Sequence, residues 1–256
     1  MRTVRRLRIL GLLGLAACHH AARPRAVPTP ESELARARAA FRHGDFNTAQ
    51  QAYQRLVFEI GPNDSIAPEV HYYLAESYFQ TGDRVQAAHE FRQVADQFPT
   101  SPFAPLALLR AGDADLRLWR LPDLDPSYGE AALAIYQELA GRYPDSEAAR
   151  RAQFHVRQLR EWFAEKSFRN GMFYFKRKAW DSAIIYFKDV YANYPDTPRA
   201  VDALLRMADT YRAITYTEEL REVCTTLQRY HPTHPGVASR CPAAAAAAGA
   251  APPPTP

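Results

Sequence analysis

One helix-turn-helix pattern recurs along the chain and constrains the fold more than any other feature. In its clearest copy, Leu74, Ala75 and Tyr78 fall on one face of a helix. Gly82 can end that helix in the left-handed conformation. A second apolar face and a closing proline follow at Ala87, Phe91, Val94 and Pro99. This spacing predicts two packed helices rather than strands, because apolar residues recur at intervals of three and four.

Four further copies of this skeleton flank the clearest one. They are marked by Gly44, Ala49, Tyr53 and Leu56; by Ala132, Tyr136, Leu139 and Pro144; by Gly171, Tyr174, Ala183, Phe187, Val190 and Pro195; and by Leu204, Met207, Ala208, Tyr211, Leu227 and Pro232. The pattern is similar to the tetratricopeptide repeat, a helix-turn-helix unit of about 34 residues. It predicts an all-α fold, a tetratricopeptide-repeat solenoid of about five helix-turn-helix repeats, with the recurring aromatic residues in its core.

The closing prolines also predict how the repeats divide. We expect N-terminal repeats over residues 31–145 and C-terminal repeats over residues 146–241. One long helix is predicted over residues 147–177, with Ser146 as its N-cap. Residues 242–256 are almost entirely Ala and Pro, so this tail is predicted to be disordered.

The N-terminus has the pattern of a targeting segment. Four arginines within the first eight residues precede a short apolar run from Ile9 to Ala17, which is too short to span a bilayer. The run ends in Leu15-Ala16-Ala17-Cys18, which resembles the lipobox of bacterial lipoproteins. That resemblance implies a signal peptide over residues 1–17, a lipid anchor on Cys18 and a flexible tether over residues 18–30. The alternative is an ordinary secretory signal with a chance cysteine.

The charge balance argues against nucleic acid as a partner. The formal net charge is +4, but residues 1–17 carry four arginines and no acidic residue. Removing those four from the 32 basic residues leaves 28, which equals the number of acidic residues. A neutral mature chain lacks the electrostatic footprint of a general DNA or RNA binder.

The sequence also lacks the motifs of common enzymes. It contains no phosphate-binding loop and no Gly-x-Ser-x-Gly elbow, and Gln93 stands where a zinc-protease helix beginning at His89 would need its second histidine. His231 and His234 lie among prolines without a third ligand, which favours a role in a loop over a metal site. We therefore predict no enzymatic activity, no metal and no cofactor.

Two cysteines remain after the predicted anchor. Cys224 and Cys241 could form a disulfide, which an oxidising periplasm permits. The alternative is that Cys224 is a small core residue and Cys241 is free.

Three helix-closing turns narrow the resemblance further. They read Gln97-Phe98-Pro99-Thr100-Ser101, Arg142-Tyr143-Pro144-Asp145-Ser146 and Asn193-Tyr194-Pro195-Asp196-Thr197. Together with the lipobox and the segment from Arg157 to Ala183, they resemble the BamD family of lipoproteins over about residues 31–235. The resemblance implies a non-enzymatic scaffold on the periplasmic face of the outer membrane, where the family takes part in the assembly of β-barrel proteins. In such lipoproteins, Asp directly after the lipidated cysteine usually signals retention in the inner membrane. His19 occupies that position here, which agrees with the outer membrane.

The resemblance also implies two binding surfaces. N-terminal repeats of the family recognise unfolded barrel substrates in extended conformation, and C-terminal repeats dock on a BamA-like barrel insertase subunit. Residues 157–178 carry a net charge of +5, so a basic surface could face an acidic partner, although a solvated helix face would show the same run. The predicted partner-binding residues are Arg169, Lys176, Arg177 and Arg199. The predicted substrate-binding residues are Tyr72, Tyr73 and Tyr78, of which Tyr78 has a core role as an alternative.

Two other functions remain open at this point. A periplasmic repeat lipoprotein could instead coordinate peptidoglycan synthesis or cell division, with the Tol system or as a synthase activator. An enzyme is the third possibility, and the missing motifs argue against it.

Overall fold

The computed structural model describes residues 29–241, which fold into eleven α-helices without a strand in that range. The helices are α1 (Pro30–Arg42), α2 (Phe46–Glu59), α3 (Ala67–Thr81), α4 (Arg84–Gln97), α5 (Phe103–Leu118), α6 (Ser127–Arg142), α7 (Glu147–Lys176), α8 (Trp180–Asn193), α9 (Pro198–Ala213), α10 (Thr217–Tyr230) and α11 (Pro235–Arg240). The predicted signal peptide, Cys18, the tether as far as residue 28 and the tail over 242–256 lie outside the described residues.

The first ten helices form five successive hairpins, each packed against the next, so the predicted solenoid of five repeats is confirmed. In four of the five repeats the two helices are joined by a tight turn, whereas a longer loop over residues 119–126 joins α5 to α6. In the first two repeats Gly44 and Gly82 adopt positive φ, and the following aspartates, Asp45 and Asp83, cap the second helix by accepting a backbone N–H. Glycine reaches this left-handed conformation without steric cost, so the Gly-Asp pair fixes where the chain turns.

The long helix predicted after Ser146 is also confirmed. α7 has 30 residues, and the Ser146 hydroxyl accepts the backbone N–H of Ala149 at 3.0 Å. Its first half packs on α5 and α6, and its second half packs on α8 and α9. Phe163 belongs to the hydrophobic core of the preceding repeats and Ala164 to the core of the last two. α7 is therefore the helix that joins two cores.

The recurring aromatic residues are core residues, as predicted. Tyr53, Phe91, Tyr136 and Phe187 are fully buried. A Cβ added to Gly171 would lie 2.6 Å from the Phe187 ring, so the close approach of these helices needs glycine at that position.

The last helix is a short continuation of the repeat pattern. The turn at His231 and Pro232 repeats the aromatic-proline turns that precede the first helices of earlier repeats. His234 caps α11, because its Nδ1 accepts the backbone N–H of Gly236 at 3.2 Å. α11 has only six residues and packs on α9 and α10, so it covers the end of the solenoid.

A disulfide joins Cys224 of α10 to Cys241, whose Cα atoms are 5.2 Å apart. Two further contacts hold the same end of the chain. Arg240 Nε donates to the Asp209 carboxylate at 2.9 Å, and Gln228 Nε2 donates to the Cys241 carbonyl at 2.8 Å. The disulfide therefore closes α11 over the last repeat.

We expect replacement of both cysteines with alanine to lower the free energy of unfolding by about 3 kcal/mol, since the bond closes a loop of 17 residues. Urea unfolding followed by circular dichroism measures the loss. Reducing the wild-type protein should shift its midpoint to that of the double variant, which should itself be insensitive to reductant. A variant with an unchanged midpoint would contradict this stabilising role.

Within residues 29–241, no helix is both long enough and apolar enough to cross a membrane.

Candidate functional site

An open groove of about 1070 Å³ lies on the side of the solenoid formed by the first helices of the repeats. α1, α3, α5 and α7 each contribute side chains, together with the first half of α2. The lining residues include Arg38, Phe41, Arg42, Tyr53, Glu69, Tyr72, Tyr73, Glu76, Phe103, Arg110 and Arg151. Side chains from four successive repeats thus meet in one depression.

The floor of the groove is a cluster of aromatic rings. The Tyr73 ring lies 5.0 Å from that of Phe41, 5.4 Å from that of Tyr72 and 5.9 Å from that of Tyr53, measured between centroids. Tyr72 also packs on Phe103 at 5.1 Å. Burial raises the pKa of the Tyr72 hydroxyl to about 12, so this group stays neutral at physiological pH. The floor therefore offers a large apolar surface on which planar side chains can stack.

Paired charges border this floor. Arg38 donates to both carboxylate oxygens of Glu69 at 2.6 Å. Arg110 donates to Glu76 at 2.9 and 2.5 Å and to Asp113 at 3.1 Å, and its guanidinium lies 3.9 Å from the centre of the Phe79 ring. These bidentate pairs fix the arginines in place, so the groove keeps its shape without a ligand.

Two further arginines lie at the rim. Arg42 and Arg151 are exposed, and neither forms an ion pair with any residue in the described part of the chain. They supply positive charge that no internal carboxylate offsets. The groove can therefore accept apolar or aromatic side chains on its floor and an anionic group at its rim.

The predicted substrate-binding tyrosines divide between two environments. Tyr72 and Tyr73 line the groove. Tyr78 is not among the lining residues and takes the core position that the sequence left open as its alternative. Its ring packs against the cores of the first repeats, and its hydroxyl accepts a hydrogen bond from Gln54 Nε2 at 2.7 Å. Tyr78 lies one turn after Leu74, so helical geometry places it on the buried face with that residue.

The four predicted partner-binding residues do not form one uniform basic patch. Glu165 pairs with both Arg169, at 3.0 Å, and Arg199, at 2.5 Å. Arg169 also pairs with Asp123 at 2.6 Å and Arg199 with Asp202 at 2.7 Å.

Lys176 and Arg177 lie apart from this network, at the exposed end of α7. The Arg177 guanidinium lies 3.5 Å from the centre of the Phe173 ring, and neither residue has a carboxylate partner within residues 29–241. Arg160 of the same run is paired with Asp196. The end of α7 therefore carries adjacent exposed cations that no carboxylate within residues 29–241 neutralises.

Sequence reasoning missed the charged pairs of the groove. A signal is present for the pair of Arg110 with Asp113, because Arg110-Ala-Gly-Asp113 and Arg206-Met-Ala-Asp209 follow Pro99 and Pro195 at the same interval. Both arginines pair with the aspartate one turn later, at 3.1 Å in each case. A repeated Arg-x-x-Asp at one repeat position marks the surface of the first helices.

No group of three or more histidines, cysteines or acidic residues within 29–241 is arranged to hold a metal ion.

The fold and the groove together define a helical-repeat protein with a preformed aromatic groove on the side of its first helices. A family model described as "YfiO: Outer membrane lipoprotein" matches residues 29–227. The chain belongs to this family of outer membrane lipoproteins.

Curated relatives carry a common description. "Outer membrane protein assembly factor BamD" of Vibrio cholerae is 31% identical over 106 residues, which span 41% of this chain and 44% of that relative. The proteins of the same description from Xylella fastidiosa strains Temecula1 and 9a5c are 24% and 23% identical. They cover 78% and 90% of this chain and 71% and 84% of their own lengths.

Among solved structures, the tetratricopeptide domain of P58(IPK) is similar, with a TM-score of 0.44 and 14% identity over 81% of this chain and 53% of that chain. The TPR2AB domain of yeast Sti1 has a TM-score of 0.41 and 13% identity, over 82% of this chain and 81% of that chain.

Proposed function

We propose that this chain is a non-enzymatic assembly factor for β-barrel proteins of the outer membrane, anchored through Cys18 to the periplasmic face of that membrane. Its N-terminal groove binds an extended segment of an unfolded barrel protein, and its C-terminal repeats dock on a BamA-like insertase subunit. Membership of the outer membrane lipoprotein family supports the location. The description shared by its curated relatives supports the process.

The aromatic floor of the groove is the observation that carries the substrate proposal. Strands of membrane barrels have about ten residues, alternate apolar with polar side chains and place aromatic residues at the membrane interfaces. An extended segment of this kind presents a row of apolar and aromatic side chains to one face. Tyr72, Tyr73 and Phe103 offer matching ring surfaces, and Arg42 and Arg151 can hold a terminal or side-chain carboxylate.

The docking proposal depends on charge at the end of α7. Lys176 and Arg177 are exposed and can pair with acidic residues of the insertase subunit, which would steer association and fix its register. Arg169 and Arg199 contribute as a preformed network around Glu165, because their guanidinium groups are already oriented by carboxylates.

A binding experiment tests the groove. The probe is a peptide of about ten residues with alternating aromatic and polar residues and a free terminal carboxylate. Its dissociation constant is measured by fluorescence anisotropy on the folded protein. We expect reversal of both rim charges, Arg42→Glu with Arg151→Glu, to weaken binding about tenfold or more, since it replaces two attractive groups with repulsive ones.

Arg157→Glu provides the matched control. Arg157 is exposed on the same helix as Arg151 but does not line the groove, so its reversal changes the net charge without changing the site. Equal affinity of the rim double variant and wild type would contradict a role for the groove rim. An equal loss of affinity in the Arg157→Glu variant would show that the effect comes from the net charge of the protein and not from the groove rim.

A further inference from the structure

Arginine–carboxylate pairs join most of the successive first helices in the solenoid. They are Arg38–Glu69 between α1 and α3, Arg110–Glu76 between α5 and α3, Arg199–Glu165 between α9 and α7, and Arg240–Asp209 between α11 and α9. Each pair lies at 2.5 to 2.9 Å and stays charged at any physiological pH, because arginine does not lose its proton there.

The contact between α5 and α7, called the α5–α7 joint below, differs from these arginine–carboxylate pairs. Its cationic partner is a histidine, with His155 Nε2 3.7 Å from Asp113 Oδ1. The His155 ring stacks on Tyr136, with centroids 5.1 Å apart and planes 15° from parallel, and its Nδ1 is buried without a hydrogen-bond partner in the described part of the chain. Histidine is the side chain that changes charge between about pH 5 and 8. The contact between α5 and α7 is therefore an ion pair only when His155 is protonated.

This joint is linked directly to the groove. Asp113 accepts the Tyr136 hydroxyl at 2.8 Å through the oxygen that faces His155, and accepts Arg110 at 3.1 Å through the other oxygen. Arg110 also pairs with Glu76 and lines the groove. With neutral His155, the cluster of Arg110, Glu76 and Asp113 has a net charge of −1, so Arg110 offers little attraction to an anion. A proton on His155 brings the cluster to neutrality.

We propose that His155 determines the specificity of the groove for anionic ligands by setting the charge of the Asp113–Arg110 cluster. When protonated, it pairs with Asp113, releases part of the Arg110 charge toward the groove and favours a ligand that carries a carboxylate. Neutral His155 leaves the cluster negative and disfavours that ligand. This inference deepens the proposed function and depends on it for the identity of the ligand, an extended peptide with a terminal carboxylate.

Other titratable or charged groups near this joint come from α3, α5, α6 and α7. They are Tyr72 and Glu76 of α3, Arg110, Asp113 and Asp115 of α5, Tyr136 of α6, and Arg151 on α7 itself. Asp115 can add a pH effect of its own. Burial raises the pKa of its carboxyl group to about 6, although the charge of Arg92 opposes that shift. The experiment therefore keeps Asp115 in every variant and alters only His155.

The first measurement is the dissociation constant of the probe peptide between about pH 5 and 8, with either a free carboxylate or an amide at its C-terminus. For wild type we expect affinity for the free acid to rise about three- to tenfold as the pH falls, and affinity for the amide to change much less. His155→Gln should remove this difference. His71→Gln is the matched control, because His71 is likewise a half-buried histidine with an unpaired Nδ1 and does not contact Asp113.

The second measurement needs no ligand, so it separates this inference from the proposed function. In NMR spectra of the free protein, the Arg110 Nε–H signal should move with the same midpoint as the His155 ring signals, and should stay fixed in the His155→Gln variant. If Arg110 responds but no peptide binds, the coupling stands and the proposed function fails. A stationary Arg110 signal in wild type, or a pH effect retained in His155→Gln, would overturn the inference.

Discussion

Replacing Trp119 with alanine should lower the free energy of unfolding by about 3–5 kcal/mol, the range for removal of a large buried aromatic side chain. Trp119 is 1% exposed in the loop between α5 and α6. Its ring stacks on Phe163 at 4.7 Å and meets Trp162 edge-on at 5.5 Å. Gly129 of α6 approaches so closely that an added Cβ would lie 2.1 Å from the indole. One side chain thus packs α5 and α6 against the middle of α7.

The position of Trp119 predicts a second consequence of the same substitution. Its stacking partner Phe163 is the last residue of the core of the preceding repeats, and the next residue, Ala164, belongs to the core of the last two repeats. Loss of the indole ring should therefore weaken the coupling between these two cores. Urea unfolding should show a lower midpoint, and hydrogen exchange should rise first in α5, α6 and the middle of α7.

Trp119→Phe is the control for this prediction. The indole N–H is buried and has no hydrogen-bond partner in the described part of the chain, so phenylalanine removes a desolvated polar group while keeping a stacked ring. We expect a much smaller loss than for alanine. A Trp119→Ala protein with an unchanged midpoint would show that the joint between the halves does not depend on this side chain.

The repeat architecture could be predicted from sequence because its signals are local. Gly82, Ser146 and the closing prolines each act within one turn of the position that they define. Apolar residues spaced by three and four mark buried faces without knowledge of the partner helix. The same reasoning explains why core roles for Tyr53, Tyr136 and Phe187 were predictable, since period alone places them inward.

The groove was less predictable because its partners are distant in sequence. Arg38 meets Glu69 and Arg110 meets Glu76 only through the stacking of separate repeats, and no spacing rule within one helix reveals such pairs. The sequence left Tyr78 open between the groove and the core, and only the packed structure separates it from Tyr73, which lines the groove. The net charge of residues 157–178 likewise does not show which cations are free, because Asp196 and Asp123, which pair with Arg160 and Arg169, lie outside that run.

If the chain docks as proposed, combined reversal of Lys176 and Arg177 to glutamate should weaken its association with the insertase subunit more than tenfold. These are the cations at the end of α7 that lack a carboxylate partner in the described range, so their full charge is available to an acidic surface. The fold should be unaffected, since both side chains are exposed and α7 ends beside them. The measurement is recovery of partners from detergent-solubilised envelopes with the lipid anchor intact, followed by mass spectrometry.

Lys188→Glu is the matched control, because Lys188 is an exposed lysine on the neighbouring helix α8 and changes the charge without touching the end of α7. Loss of a BamA-like subunit from the double variant alone would support docking through this surface. Unchanged recovery would contradict it and leave the network of Arg169, Glu165 and Arg199 as the next surface to reverse. Wild-type recovery of Tol or peptidoglycan-synthase proteins without the barrel subunit would instead favour a role in the cell wall, because the same repeat scaffold can present its charged edge to a different acidic partner.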